Sequence, residues 1–332
     1  MAINPNDLTR ASQLLDTLRD EVGKAVVGQR EAVDQTLVAL VAAGHVLIEG
    51  VPGLGKTLLA RALCKALSLQ YARIQFTPDL MPSDITGHAV LDPSQRGSDE
   101  GGIGSLRVRR GPVFTNLLLA DEINRSPAKT QAALLEVMQE RQVTLEGQAL
   151  PLPQPFLVMA TQNPIDTEGT YPLPEAQLDR FLLKIQIGYP SHEEETAIVR
   201  RTTEQAIGDA FPLDAMQPRL DERTVIALQK MASHVRVDDK VADYAVRITR
   251  ATRDWPGLAN GAGSRGAIAL VRAARAAALL EGRDFVTPDD VKQYVLPALR
   301  HRVLLAPDAQ LEGRETDELL AAAMDSVEAP RL

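Results

Sequence analysis

The stretch Gly50-Val51-Pro52-Gly53-Leu54-Gly55-Lys56-Thr57 decides the fold. It satisfies the pattern G-x-x-x-x-G-K-[ST] at every fixed position. Glycines let a backbone come close to a polyphosphate and turn its N–H groups inward. Gly50, Pro52, Gly53 and Gly55 would form that cradle. Lys56 can reach the outer phosphates, and the Thr57 hydroxyl can ligate Mg²⁺. The helix that starts here adds its positive N-terminal end. The flanks agree: His45-Val46-Leu47-Ile48-Glu49 reads as a short buried strand, and 57–66 as a helix.

Hydrolysis needs more than a phosphate cradle. It needs a carboxylate for the metal, a group to orient water, and positive charge at the outer phosphate. Leu117-Leu118-Leu119-Ala120-Asp121-Glu122 ends an apolar strand with two acids, and ligands of parallel sheets sit at such strand ends. Asp121 is the candidate metal holder and Glu122 the candidate general base. A second apolar strand runs into Ala160-Thr161-Gln162-Asn163-Pro164, where Asn163 can hydrogen-bond water or phosphate. Arg180, in Leu178-Asp179-Arg180-Phe181, is a candidate to reach a neighbouring subunit's phosphate. Arg265, in Ser264-Arg265-Gly266, opens a helix and would swing onto the phosphates on closure of a helical domain. Val27-Gly28-Gln29 is a candidate lining for a base pocket, with Gln29 as its polar member.

Around these motifs the chain alternates strands and helices up to about residue 190, which predicts a parallel sheet covered on both faces. Helices are expected at 1–30 and 31–43, and strands at 71–76, 113–120, 156–161 and 182–187. Residues 78–112 are rich in Pro, Gly, Ser and Asp and read as a partly mobile insert. Ser126 and Pro127 read as the N-cap and first turn of a helix reaching 141. Glu146-Gly147 centres an alternating stretch that predicts a β-hairpin over 142–155. From 191 to 332 the pattern is helical, so the expected domains are 1–190 and 191–332, an α/β three-layer unit followed by an all-α lid.

Composition narrows the function classes. The 332 residues are 45% hydrophobic but only 4% aromatic, so Ala, Val and Leu must pack the core. A net charge of −8 makes the chain a poor default partner for nucleic acid, and none is expected. Arg107, Arg109 and Arg110 read as a solvated charge run. One cysteine, Cys64, allows no internal disulfide, which suits a reducing cytoplasm. No apolar run approaches the roughly 20 residues of a membrane span, so direct membrane insertion is not expected. No Asn-Lys-x-Asp segment is present, which argues against GTP.

The ordered set Val27-Gly28-Gln29, 50–57, 117–122, 160–164, 178–181 and Arg265 resembles an AAA+ ATPase. The stretches FTPDLMPSDITG (76–87), 117–147 and 160–185 are similar to the MoxR family, whose relatives include magnesium-chelatase ATPase subunits. The resemblance implies a P-loop αβα domain with a helical lid, the insert at 78–112 and the hairpin at 142–155. It implies ATP and Mg²⁺ at the boundaries of a ring, usually a hexamer. By position, Lys56 and Thr57 bind ATP–Mg²⁺, Asp121 holds metal, Glu122 is base and Asn163 first sensor. Arg180 would act in trans and Arg265 would be the second sensor. It also implies remodelling of a client complex with a von Willebrand A-domain partner. Two features depart from many relatives: Gly263-Ser264-Arg265 replaces Ser-Pro-Arg, and residues 88–106 are longer and more Gly-rich. A DNA motor, a magnesium-chelatase subunit and a non-hydrolysing scaffold remain the rival readings.

Overall fold

A computed structural model of the chain describes residues 3–51, 53–96, 104–164, 169–204, 213 and 216–331. Two N-terminal helices, α1 (Pro5–Gly23) and α2 (Arg30–Val41), precede β1 (Val46–Glu49) and α3 (Lys56–Ala66). Then come β2 (Tyr71–Gln75), α4 (Pro82–Thr86), β3 (Gly87–Arg96), β4 (Gly104–Arg110), β5 (Leu117–Asp121) and α5 (Ala128–Glu140). The hairpin β6 (Gln142–Leu145) and β7 (Gln148–Pro151) leads to β8 (Leu157–Gln162), α6 (Glu175–Leu178) and β9 (Leu183–Gln186).

The strands β2-β5-β8-β1-β9 form one sheet in that order, with every pairing parallel. The apolar strands serve two cores at once because successive side chains point to opposite faces. Leu47, Leu118 and Val158 enter one buried cluster, while Ile48, Leu119 and Met159 enter the other. The second cluster continues through α1, α2 and α3 into the C-terminal helices.

Those helices are α7 (His192–Glu204), α8 (Glu222–His234), α9 (Asp239–Ala251), α10 (Ser264–Leu280), α11 (Pro288–Gln293) and α12 (Val295–Leu299), followed by α13 (Pro307–Leu311) and α14 (Thr316–Asp325). Helix α10 buries Ala273, Ala274, Ala276, Ala277 and Ala278, and this small-residue face stands in for the missing aromatics. Ser12 of α1 donates to the Leu280 carbonyl at 3.1 Å. Glu21 of α1 accepts from the Gln217 amide at 2.9 Å and from Arg219 Nε at 2.7 Å. The buried, multiply bonded Glu21 carboxyl is lowered to about 2, first by Lys24 and then by those two partners.

Several local expectations change. The apolar run 113–120 pairs only from Leu117, because the Asn116 side chain instead accepts from the Gln70 amide and donates to the Pro155 carbonyl. Ser126 is not an N-cap. Residues Ile123–Arg125 form a 3-10 turn, Pro127 stays extended, and α5 starts at Ala128. The Gln131 amide holds this turn by donating to the Ile123, Ser126 and Tyr171 carbonyls. The insert is α4 followed by the antiparallel β3–β4 ladder; its tip at 97–103 lies outside the described residues. Among the described residues the lid is mostly helical, with a two-stranded ladder of β10 (Leu258–Asn260) and β11 (Leu304–Leu305) and an isolated parallel bridge between Arg236 and Phe285. The expected hairpin forms, with Glu146 and Gly147 at φ 47° and 75° in its turn.

Candidate functional site

The loop after β1 is built by close approach. A Cβ on Gly50 would stand 2.7 Å from the Ile187 carbonyl oxygen, which excludes a side chain there. Gly53 and Gly55 have φ of 86° and 82°, the left-handed region that glycine enters without steric cost. Gly55 caps α3 with no side-chain bond, so the first-turn N–H groups remain for an anion. Lys56 folds over the loop and donates to the Gly50 carbonyl. Thr57 follows in the first turn of α3. Pro52 lies outside the described residues.

The parallel register places the two acids at the same end of the sheet as the loop, with β8 between β5 and β1. Asp121 ends β5 and is only 7% exposed. Its Oδ1 accepts from Thr161 Oγ1 at 2.6 Å, and its Oδ2 accepts from Arg73 Nη2 at 2.6 Å and Nε at 3.1 Å. Glu122 is the next residue and sits at φ 57°, ψ 50°. A left-handed conformation is costly for a residue with a Cβ, and such outliers gather at functional sites. The Thr161 hydroxyl accepts from the Glu122 amide at 2.9 Å, so one side chain of β8 holds both acids in place. Glu122 Oε2 accepts from Gln75 Nε2 at 2.9 Å and pairs with Arg125 Nε at 3.2 Å. Asn163, one residue past β8, is 5% exposed.

Beside the loop lies a cavity of about 430 Å³ lined by Val27, Gln29, Gly53, Gly55, Leu58 and Ile198 among others. Gln29 Nε2 donates to the Gly188 carbonyl at 2.9 Å and so ties the chain after β9 to the edge of this slot. Apolar walls beside a phosphate cradle suit a purine base.

Arg180 and Arg265 sit elsewhere. Both line a cavity of about 320 Å³ whose walls include Asp179, Arg141, Arg272 and Arg302. This cavity shares no lining residue with the one at the loop. Within one chain, Arg265 is therefore grouped with Arg180 and not with Lys56. Its Nη1 is 3.7 Å from Asp179 Oδ2, while Arg302 Nε holds Asp179 Oδ1 at 2.7 Å.

The sequence does not single out Arg73, Gln75 or Thr161. Arg73 and Gln75 are two apart on β2, and Gln75 stands in register with Asp121. Arg73 Nη2 also donates to Gln75 Oε1 at 2.7 Å, which orients the amide so that its nitrogen faces Glu122. The alternation in Arg73-Ile74-Gln75 is a visible signal, but its meaning depends on which strand lies alongside.

The residues fit a phosphate-borne Mg²⁺. Among the described residues no cluster of three His, Cys, Asp or Glu side chains could cage an ion. Mg²⁺ is usually held by one or two protein oxygens plus phosphates and water, which the Thr57 hydroxyl and the buried Asp121 carboxylate can supply. Arg73 already places a cationic group on that carboxylate.

A family profile described as ATPase family associated with various cellular activities (AAA) matches residues 45–183, and an AAA lid domain profile matches 250–323. The uncharacterized protein YeaC of Bacillus subtilis is 44% identical over 96% of this chain and 95% of its own. Chaperone MoxR1 of Mycobacterium tuberculosis is 43% identical over 94% and 81%. The crystal structure of an ATPase candidate from Cytophaga hutchinsonii superposes with a TM-score of 0.87, at 38% identity and 98% coverage of both chains. A magnesium-chelatase 38 kDa subunit of Acidiphilium rubrum is more distant, at 28% identity over 90% of this chain.

Proposed function

The chain belongs to the MoxR family of AAA+ ATPases, and from that premise we propose that it hydrolyses ATP to ADP and phosphate at a site shared by two copies. The observation that supports this reading is the pair Asp121 and Glu122, both held by Thr161 of β8, the strand that pairs with β1. ATP lies with its base in the slot beside Gln29 and its phosphates over Gly50, Gly53 and Gly55. Lys56 exchanges the Gly50 carbonyl for phosphate oxygen. Thr57 and Asp121 would hold Mg²⁺, which would supply positive charge to the transferred group. Glu122 takes a proton from the attacking water, and Asn163 orients that water.

Arg180 and Arg265 of one copy face the nucleotide of the next. Their grouping in a cavity separate from the loop of their own chain supports action in trans for both. Arginine is suited to this because its planar fork matches phosphate oxygens. Assembly into a ring follows from the shared site, and a hexamer is the size we propose. Hydrolysis releases the trans contact, and the resulting shift of the lid moves the β3–β4 insert against a client protein complex. A von Willebrand A-domain protein is the proposed partner and the cytoplasm the proposed location. Among the described residues, no helix is long and apolar enough to cross a membrane. The hairpin β6–β7 carries no lysine or arginine, which disfavours a DNA motor.

Glu122→Gln tests the chemistry. It should keep ATP bound and slow turnover about 10²–10⁴-fold, the usual contribution of a general base. Turnover at the wild-type rate would remove Glu122 from the mechanism.

A further inference from the structure

The cavity that holds Arg180 and Arg265 contains more positive charge than those two residues need. Five guanidiniums line it, from Arg141, Arg180, Arg265, Arg272 and Arg302, against the single carboxylate of Asp179. Asp179 is taken by Arg302 at 2.7 Å and is 3.7 Å from Arg265. His45 also lines the cavity but adds no charge, since burial pushes it down to about 4. Among the described residues, Arg141, Arg180 and Arg272 form no ion pair with a carboxylate.

Arg141 and Arg272 are held by carbonyls instead. Arg272 Nη2 donates to the Ala42 carbonyl at 2.6 Å, and Arg141 Nη2 donates to the Ala43 carbonyl at 3.3 Å. These acceptors at the end of α2 aim the two guanidiniums without neutralising them. The two also act on each other: burial, and then the charge of Arg141, lowers Arg272 from its ordinary value. Like charges gathered in a partly enclosed space are unfavourable until an anion arrives. Arg272 lies seven residues after Arg265 on α10, hence on the same helix face. Arg141 ends α5 at φ 53°, immediately before the β6–β7 hairpin, which fixes its direction from the domain opposite the lid.

We propose that Arg141 and Arg272 are further phosphate-binding residues, which with Arg180 and Arg265 receive the terminal phosphates of the nucleotide held by a neighbouring copy. This rests on the proposal that two copies share the site. The ligand class is a polyphosphate. Its source is the neighbour's nucleotide rather than free anion from solution. Because Arg141 belongs to the sheet domain and Arg272 to the lid, the neighbour's phosphates would draw the two domains of this chain together.

The test separates charge from the carbonyl contacts. Arg141→Gln and Arg272→Gln keep a donor but lose the charge, while Arg141→Lys and Arg272→Lys keep the charge. We expect each glutamine variant to lower kcat roughly 10–100-fold, the loss of one charge-assisted hydrogen bond. Nucleotide affinity of the unassembled chain should stay unchanged and its melting temperature should not fall, and each lysine variant should retain more turnover. Mixing either glutamine variant with Lys56→Ala, which supplies intact arginines, should restore turnover. Failure of that rescue in conditions where Arg180→Ala is rescued would overturn the proposal and leave the shared site standing. Failure to rescue Arg180→Ala as well would bring down the shared site and the proposal together. Uptake of inorganic tripolyphosphate by unassembled Lys56→Ala, lost on adding Arg141→Gln and unaccompanied by rescue in mixtures, would assign the cavity to free anion and equally overturn it.

Discussion

The loop site and the arginine cavity are opposites in charge balance. At the loop, each acid already has a partner: Arg73 on Asp121, and Gln75 and Arg125 on Glu122. In the cavity, five guanidiniums face one carboxylate. The first region is closed in a single chain and must exchange contacts to accept substrate. The second carries an excess of positive charge that no carboxylate lining the same cavity offsets. The difference matches what the proposed shared site requires, with the first region supplied by one copy and the second by the next.

The comparison breaks most sharply at Arg180. Arg180→Ala should lower kcat about 10³-fold or more, the lower end of the range for a trans arginine, while nucleotide affinity of the unassembled chain is unchanged. Loss of affinity in that chain would place Arg180 at its own loop. Lys56→Ala has the reverse signature. It should weaken nucleotide binding roughly 10–100-fold, read by titration of a fluorescent ATP analogue, because a charge-assisted bond is lost from the cradle itself.

Smaller effects sharpen the account of the loop. Arg73→Gln frees Asp121 Oδ2, so the Mg²⁺ concentration that half-saturates nucleotide binding should fall by about threefold, the order of one exposed ion pair. A rise instead would make Arg73 a support for metal binding. The smallest effect concerns His45. Burial holds it neutral down to about 4, with Arg141 and Arg272 acting in the same direction and its bond to the Met138 carbonyl opposing. Its folded value lies below the unfolded one, so the unfolded chain binds more protons as pH falls from about 6.5 toward 4. Stability therefore falls as pH is lowered across that window. His45→Gln should lower the slope by about 1.4 kcal/mol per pH unit in urea melts. An unchanged slope would show that His45 does not take up that proton on unfolding.

What is legible in the sequence follows from the range of each interaction. The phosphate loop, the acids of β5 and the Glu146-Gly147 turn depend on residues adjacent along the chain, and each can be read from its own short stretch. Where a local pattern misleads, a distant side chain intervenes. Asn116 bridges to Gln70 and Pro155 and so shortens β5. Gln131 clamps three carbonyls and displaces the start of α5 beyond Ser126. Arg73 and Gln75 matter only because β2 lies next to β5. The grouping of Arg141, Arg180, Arg265 and Arg272 joins segments from both domains, and no periodicity in the sequence expresses it.

The most direct test mixes two inactive chains. Lys56→Ala lacks a working cradle but keeps its arginines; Arg180→Ala keeps the cradle but lacks the guanidinium. Titrating one into the other with saturating ATP and Mg²⁺ should return turnover well above that of either alone, with a maximum at an intermediate ratio. A mixture that stays at the sum of its inactive parts at every ratio would contradict a catalytic site divided between two copies.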